Sequence, residues 1–274
     1  MRFVLTAVFS IFATVAFAQV EHTPSHCIAM VDNGPYVQQA STQALVKDEV
    51  RITFIDHSMF RIDTFGGLSA ITDFNGYIGR NPDYPTVVTM NRAHDSHYTN
   101  NVPPEVRHIL RGWGTAGAPA DHNLDLGEMR IRNVTTDIRS EWTGRDPDGN
   151  SIFVFEVGGL CIGHLGHLHH EPSDLQYALI GRLDVVMANV DGGLSLDTET
   201  MIRIMKRFRA SVVLPMHYWG RASLNRFLAG MSDEFEVVDV EAASLIVSQD
   251  TLPLRPTVYV LPPQLFNLYN DADE

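Results

Sequence analysis

Residues 160–170 read Leu-Cys-Ile-Gly-His-Leu-Gly-His-Leu-His-His, an apolar stretch that runs directly into a cluster of histidines. A short apolar run of this length is typical of a buried strand. Residues 151–157 have a second strand pattern, and Gly158 and Gly159 separate the two runs, which predicts a hairpin. The histidines therefore follow the end of a strand, where α/β folds often place functional side chains.

The same arrangement occurs at two other positions. Residues 86–90 have the pattern of a β-branched strand and lead into Asn-Arg-Ala-His-Asp-Ser-His at 91–97, and residues 211–218 form an apolar strand that ends in Pro-Met-His-Tyr. Imidazole is the commonest side-chain ligand for zinc, and a catalytic zinc needs about three protein ligands with one position left for water. If the three strand ends meet at one edge, the candidate ligands are His94, His97, His167 and His217.

The remaining patterns predict an α/β protein that opens with strands. Alternation over 50–54, 59–64 and 68–74 indicates a β-meander with one buried face. Helices are predicted from an N-cap at Ser173 and from an apolar stripe within 201–208. Two weaker predictions are one or two helical turns over residues 105–110 and a Gly-, Ala- and Pro-rich loop over residues 112–127.

The first 18 residues have the pattern of a secretory signal peptide. Arg2 precedes an apolar run from 3 to 17, and Ala-Phe-Ala comes directly before Gln19. The run is shorter than the roughly 20 apolar residues that a membrane span needs, so no stable membrane anchor is expected. We expect a mature periplasmic or secreted protein, with a lead-in segment at 19–48 and one domain at 49–274.

Charge and cysteine content restrict the partners and the compartment. Without Arg2, the chain has 19 Lys and Arg against 33 Asp and Glu, a formal charge of −14, which argues against nucleic acid and leaves a small-molecule substrate. Cys27 and Cys161 are the two cysteines, and an oxidising compartment would permit them to pair. A buried Cys161 with a loosely held Cys27 fits the sequence equally well. The oligomeric state is not encoded in any of these patterns.

The order of these elements resembles the metallo-β-lactamase superfamily, and within it the branch that includes ascorbate phosphate lactonases. The resemblance begins near Val50 and continues to the C-terminus. It implies a four-layer αβ/βα sandwich with a metal site at one edge of its sheets. The elements that carry it are His57-Ser58-Met59-Phe60, Thr72-Asp73, the loop 92–97, the run 163–170, Asp191-Gly192-Gly193 and Leu214-Pro215-Met216-His217-Tyr218.

The metal-binding motif departs from the family pattern. The family's H-x-H-x-D-H loop begins here with Arg92, and Ser96 replaces its aspartate. In the family's G-D-x-x-H pattern, His167 replaces the bridging aspartate while His170 keeps the terminal histidine. A further histidine that the family has near residues 136–139 is absent here.

The resemblance therefore implies one metal ion and not the usual two. His97, His167 and His217 could form a three-histidine site with a position open to water. The other metal position keeps only His94, with Asp137 as a possible substitute for the lost ligands. Zinc is the expected ion, and iron or manganese are alternatives.

This site predicts a hydrolase that uses a metal-activated water, in which Asp95 or Asp137 carries the proton. Arg92 and Ser96, which stand where the family has ligands, are the expected substrate-binding residues. Arg92 has an alternative role, a salt bridge to Asp95 or Asp73 that replaces the missing ion. Asp73 is expected to orient the metal loop by hydrogen bonding.

Two functional hypotheses follow from the altered motif. The first is an exported hydrolase of a small-molecule ester, lactone, amide or phosphate. The second is a non-catalytic protein of the same fold that binds a metal or a small anion. A redox centre is a weaker third reading, because histidine-rich sites also suit iron and copper.

Overall fold

Strands with alternating apolar residues form the two sheets of this protein. The computed structural model describes residues 25–28, 38–39, 44–92, 94–115, 117–140 and 144–264. The predicted signal peptide and most of the predicted lead-in segment lie outside these residues. In the part that is described, no helix is long and apolar enough to cross a membrane.

The first sheet has seven strands in the order β1-β14-β2-β3-β4-β5-β6. Its strands are β1 (Gln38–Gln39), β2 (Val50–Asp56), β3 (Met59–Thr64), β4 (Ser69–Ile71), β5 (Val87–Met90), β6 (His108–Arg111) and β14 (Ser244–Val247). The predicted meander is present as the antiparallel strands β2, β3 and β4.

The second sheet has eight strands in the order β13-β15-β12-β11-β10-β9-β8-β7. Its strands are β7 (Asn123–Asp125), β8 (Met129–Ile138), β9 (Asp146–Val157), β10 (Leu160–His164), β11 (Val185–Asn189), β12 (Val212–Met216), β13 (Glu236–Asp239) and β15 (Thr257–Val260). The helices are α1 (Asp174–Ile180), α2 (Thr198–Phe208) and α3 (Arg221–Met231), and single turns of 3-10 helix lie at Asp95–His97 and Gln249–Thr251.

Alternation along each strand divides the core into layers. On β11, Val185 and Met187 pack between the two sheets, while Val186 and Ala188 pack under the helices on the outer face. The helices contribute apolar faces to this outer layer, including Met201 and the rest of the α2 stripe. Loop residues, and not helices, pack on the outer face of the first sheet in the described part of the chain. The predicted α/β arrangement of two facing sheets with helices is confirmed.

Two predicted segments differ from the structure. Residues 105–110 were expected to turn as a helix, but His108–Arg111 form β6, which pairs in parallel with β5. The pairing gives those backbone groups partners that a single helical turn could not provide. Within the predicted loop 112–127, Asn123–Asp125 form β7 as an antiparallel edge strand beside β8.

Parallel pairing brings the functional loops to one edge. Strands β10, β11 and β12 are parallel neighbours, so the segments after their carboxyl ends emerge together. Strands β4 and β5 run in parallel in the facing sheet. The backbone N–H of His217, after β12, donates to the carbonyl of His57 in the turn between β2 and β3, at 2.7 Å. This bond joins the two sheets at the edge where the histidines lie.

Cys27 and Cys161 form a disulfide with a Cα–Cα distance of 5.7 Å, which settles the open question of their pairing. The bond attaches the segment 25–28 to β10. A backbone bond from Arg182 N–H to the carbonyl of Cys27 holds the same segment. The Ser25 hydroxyl also donates to the buried Glu156 at 2.5 Å.

Candidate metal centre

Five imidazole rings lie against one another at the sheet edge. Four of them belong to predicted ligands, His94, His97, His167 and His217, and the fifth is His57. The ring centroids of His94 and His97 are 4.4 Å apart, those of His167 and His217 are 4.6 Å apart, and those of His57 and His217 are 4.1 Å apart. One ligand nitrogen from each of His57, His94, His97 and His217 can be chosen so that all four lie within 4.8 Å of one another.

Two buried aspartates orient two of these rings. Asp73 Oδ2 lies 2.5 Å from His97 Nδ1, and Asp191 Oδ2 lies 2.8 Å from His217 Nδ1. An ionised carboxylate can only accept, so each Nδ1 donates its proton. In the neutral form of each ring, which is the form that binds a metal ion, Nε2 then has a free lone pair. A carboxylate behind a histidine is the usual partner of a metal-ligating imidazole.

The charge state of these aspartates agrees with this role. Burial alone would raise the pKa of Asp73, but His97, His164 and the amide of Asn91 outweigh it and bring that pKa down to about 2. Burial also opposes ionisation of Asp191, but hydrogen bonds from His217, Ser195 and neighbouring backbone N–H groups lower its pKa. Both carboxylates are therefore ionised near neutral pH.

Three residues at this edge have left-handed backbone conformations. The φ angles are 49° for His57, 43° for Asp73 and 57° for His217. Non-glycine residues seldom adopt this region, and such positions concentrate at functional sites. The turns place these side chains toward the other rings of the cluster.

A hydrogen-bonded chain fixes the protons on the remaining rings. The backbone N–H of Arg139 donates to His169 Nδ1 at 2.7 Å, so a neutral His169 carries its proton on Nε2. That proton is donated to His167 Nδ1 at 2.7 Å, which leaves the proton of His167 on its own Nε2. His167 Nε2 lies 3.3 Å from His94 Nε2, and His94 Nδ1 lies 2.7 Å from Ser96 Oγ. His167 Nε2 thus donates to His94 Nε2, and a neutral His94 carries its own proton on Nδ1, beside Ser96 Oγ.

Burial in and beside the cluster favours the neutral form of His57, His94, His167 and His169. Burial, followed by the neighbouring imidazoles, lowers the pKa of His57 to about 3 and that of His94 to about 4. Burial and Arg139 lower the pKa of His169 to about 4, and burial lowers the pKa of His167 strongly. Neutral imidazole is the form that binds a metal ion.

Buried polar atoms without a hydrogen-bond partner show whether a metal ion would fit this cluster. The Nε2 atoms of His57, His97 and His217 are buried, and the described residues offer none of them a hydrogen bond. A buried polar nitrogen without a partner is unfavourable by about 1–3 kcal/mol. Three such atoms at one place, two of them on rings held by carboxylates, fit a cation as their common partner.

Asp95, Ser96 and Arg92, which were also predicted as site residues, differ in their surroundings. Asp95 and Ser96 line a cavity beside His57 and His94. Arg92 pairs with Asp146 at 3.0 Å on an exposed surface, and so forms neither of the salt bridges considered for it. Its role in substrate binding stays a prediction.

Asp137 and His170 belong to a neighbouring group. Asp137 accepts from Arg145 and from the backbone N–H of Asp148. Burial would raise its pKa, but these two hydrogen bonds and the charge of Arg145 lower it. Burial and the charge of Arg145 lower the pKa of His170, while the charge of Asp137 opposes this shift. The catalytic role of Asp137 and the ligand role of His170 stay predictions.

Sequence reasoning gave no role in the site to His57, Asp191 or His169. His57 follows an alternating strand and lies at its end, which is the same signal that selected His94 and His217. Asp191 also follows a strand, but the Gly-Gly after it favoured a plain turn. The contact of His169 with His167 could not be anticipated, because it depends on a hydrogen bond from residue 139, which is distant in sequence.

The sequence and the fold both match known proteins. Residues 51–217, more than half of the chain, match the family model described as a β-lactamase superfamily domain. No curated protein sequence matches the chain.

Solved structures share the fold at low sequence identity. A candidate zinc-dependent hydrolase of the metallo-β-lactamase superfamily from Thermotoga maritima is 22% identical, with a TM-score of 0.53 over 77% of this chain and 98% of that chain. A candidate metal-dependent hydrolase from Parabacteroides distasonis is 16% identical, with a TM-score of 0.52 over 67% and 89%. A diiron β-hydroxylase from Streptomyces venezuelae is 8% identical, with a TM-score of 0.50 over 69% and 52%. Proteins that share this fold are thus described with different metals, zinc in one and iron in another.

Proposed function

This chain belongs to the metallo-β-lactamase superfamily, and from that premise we propose that it is a metal-dependent hydrolase of a small-molecule ester, lactone, amide or phosphate. The observation that carries the proposal is the set of three buried Nε2 atoms without a partner, on His57, His97 and His217. They lie at the sheet edge where α/β folds bind their ligands.

We assign the metal to these three histidines. Asp73 and Asp191 support the assignment because they hold the rings of His97 and His217 with Nε2 directed into the cluster. His94 could complete the set of ligands, with the metal ion in place of the proton that His167 donates to it. Zinc fits an all-imidazole site, and iron or manganese remain alternatives within the proposal.

A metal ion bound here would polarise a carbonyl or phosphoryl oxygen and lower the pKa of a bound water. The protein's own residues supply the remaining functions. Asp95 lies at the wall of the adjoining cavity, where its carboxylate can accept a proton released during hydrolysis. Ser96 lines the same cavity, and its hydroxyl lies 2.7 Å from His94 Nδ1.

A screen for hydrolysis with a metal control tests the proposal. The mature protein, purified without a polyhistidine tag and loaded with zinc, is assayed on a panel of esters, lactones, amides and phosphates. We expect turnover that a chelator reduces by about 100-fold or more and that added zinc restores. The His57→Ala variant should lose activity to the same extent. His122→Ala should stay within about twofold of the unchanged protein, since His122 bonds to the Arg111 carbonyl outside the cluster.

Two results would contradict the proposal. Turnover that persists in the chelated protein would exclude a metal-dependent reaction. A folded, zinc-loaded protein without turnover on any member of the panel would favour the alternative, a non-catalytic protein that binds a metal or small anion.

We also propose that the protein is exported. The signal-peptide pattern of residues 1–18 and the Cys27–Cys161 disulfide both support an oxidising compartment. Fractionation of cells that express the full chain should recover a shortened protein from the periplasm or medium. Recovery of the uncleaved chain from the cytoplasm would contradict export.

A further inference from the structure

A cavity of about 1010 Å³ opens beside His57 and His94. Trp219 lies on its wall with 65% of its surface exposed, and its ring centroid is 4.9 Å from that of His57. An indole this exposed beside a candidate metal centre offers a flat face to a ligand. Residues 260–263, Val-Leu-Pro-Pro, form an apolar part of the same wall.

The charged residues of the cavity are mainly acidic. Asp56, Asp95 and Asp239 line it. Among the described lining residues, Arg221 is the one arginine or lysine, and it pairs with Asp239 at 3.0 Å. Arg92, which the sequence predicted to bind substrate, does not line the cavity and pairs with Asp146. Asp56 and Asp95 therefore line the cavity without a salt bridge to its one described arginine, which pairs with Asp239.

This distribution of charge favours a substrate with a positively charged group. The group to be hydrolysed would lie at the metal ion, and the rest of the cavity holds three carboxylates and one already paired guanidinium, so electrostatic repulsion opposes an anionic group there. A cationic group would be attracted by the carboxylates and could lie over the indole face of Trp219. Aromatic faces with nearby carboxylates are a general way to bind ammonium groups.

We propose that the substrate carries an ammonium or quaternary ammonium group on an apolar body, with Trp219, Asp56 and Asp95 as its specificity-determining residues. The link to hydrolysis rests on the proposed function, but binding of the cation does not. Specificity can therefore be measured without turnover.

Three small probes that share a phenyl ring but differ in charge test the proposal. Benzyltrimethylammonium, benzyl alcohol and benzenesulfonate are titrated into the zinc-loaded protein by isothermal titration calorimetry. We expect the cation to bind at least about 10-fold more tightly than the neutral alcohol, and the sulfonate to bind most weakly. Equal affinities, or tighter binding of the sulfonate, would overturn the proposal.

Variants assign the preference to this cavity. Trp219→Leu and the double variant Asp56→Asn/Asp95→Asn should each weaken binding of benzyltrimethylammonium by about 5-fold or more. Trp113→Leu and Asp233→Asn are matched controls, because Trp113 packs against Tyr98 and Asp233 pairs with Lys206. Each variant is first shown to be folded by circular dichroism. Cation binding that all variants retain would overturn the assignment.

The outcome for hydrolysis is separate. Selective cation binding by a protein that hydrolyses nothing would support the substrate-binding inference and contradict the proposed function. Hydrolysis of esters with no preference for a cationic over a neutral one would support the function and overturn the inference.

Discussion

At the scale of single residues, Asp73 and Asp191 each orient one histidine of the cluster, and they lie on opposite sheets. Asp73 follows β4 in the first sheet and Asp191 follows β11 in the second, and each accepts the Nδ1 proton of one histidine. The two carboxylates thus determine which nitrogen of His97 and of His217 is available for a metal ion.

Replacing Asp191 by asparagine should weaken metal binding. The Asp191→Asn side chain can still accept a hydrogen bond, but it loses the charge that makes the His217 ring a better ligand. We expect the dissociation constant for zinc to rise by about 10-fold or more, measured by competition with a chelating dye. Asp197→Asn is the matched control, since Asp197 caps α2 and asparagine caps a helix equally well. Equal affinity in both variants would remove Asp191 from the metal site.

Sequence reasoning at this scale found four of the five clustered rings. His94, His97, His167 and His217 follow predicted strands, and those strands end at the same edge of the two facing sheets. His57 was not selected because it lies in a tight turn between two strands. The hydrogen bond from His167 to His94 depends on distances of a few tenths of an ångström, which no sequence pattern encodes.

At the scale of elements, the segment after β10 crosses the centre of the site. Gly166 has a φ of 62°, and a Cβ there would lie 2.3 Å from Asn150 Oδ1 and 2.4 Å from Asn91 Nδ2. Asn91 in turn donates to Asp73 Oδ1 at 2.9 Å. A side chain at residue 166 would therefore displace Asn91, whose amide holds Asp73 in place behind His97.

Two glycine variants separate the effect of backbone conformation from that of crowding. Gly127 has a φ of 81° and open space around its Cβ position, so Gly127→Ala should cost only about 1–2 kcal/mol in free energy of unfolding. Gly166→Ala should cost about 1–3 kcal/mol more, since it adds crowding to the same backbone strain. Urea unfolding measures both. Similar losses in the two variants would contradict the close packing at Gly166.

The disulfide connects the lead-in segment to the second sheet over a sequence separation of 134 residues. Removal of both thiols in Cys27→Ser/Cys161→Ser should reduce the free energy of unfolding by about 2–5 kcal/mol, mainly because the unfolded chain gains freedom. Denaturant unfolding in the absence of reductant measures it. The wild-type protein with its disulfide reduced should show the same loss. No difference between oxidised wild type and the variant would mean that the bond does not contribute.

The sequence predicted most elements where alternation or an apolar stripe was strong, such as β2, β3 and α2. It failed at residues 105–110, since the pairing partner of β6 is β5, and a four-residue edge strand has too short a pattern to reveal its neighbour. Short strands are specified by the sheet that they join, more than by their own residues.

At the scale of the whole molecule, the lowered pKa values of His57 and His94 make stability depend on pH. The pKa of His57 is about 3 and that of His94 is about 4 in the folded protein, against 6.5 when unfolded. The unfolded chain therefore binds more protons than the folded one between about pH 6.5 and pH 4, and stability falls as the pH falls through this window.

Urea midpoints of the metal-free protein at pH 7.5 and pH 5 test this dependence. We expect a lower midpoint at pH 5, and a smaller difference in His57→Ala, because one fewer buried histidine takes up a proton on unfolding. His122→Ala, which changes a histidine outside the cluster, should keep the full difference. A metal-free protein that is more stable at pH 5 than at pH 7.5 would contradict the neutral cluster.

The architecture as a whole was predictable because the order of strands, helices and histidine loops is a long-range pattern. The substrate preference was not, because the cavity is lined by segments as distant in sequence as residues 54–57 and 260–263. The pairing of Arg92 with Asp146 was not predictable either, because it joins residues 54 positions apart in the sequence.

The measurement that tests the metal centre most directly is the metal content of the mature protein, purified without a polyhistidine tag and measured by inductively coupled plasma mass spectrometry. The proposed site predicts about one zinc, iron or manganese ion per chain, lost by about 10-fold or more in His57→Ala and in His217→Ala and kept in His122→Ala. A folded protein that contains no metal and takes up none when zinc is added, or variants of His57 and His217 that keep their metal, would contradict it.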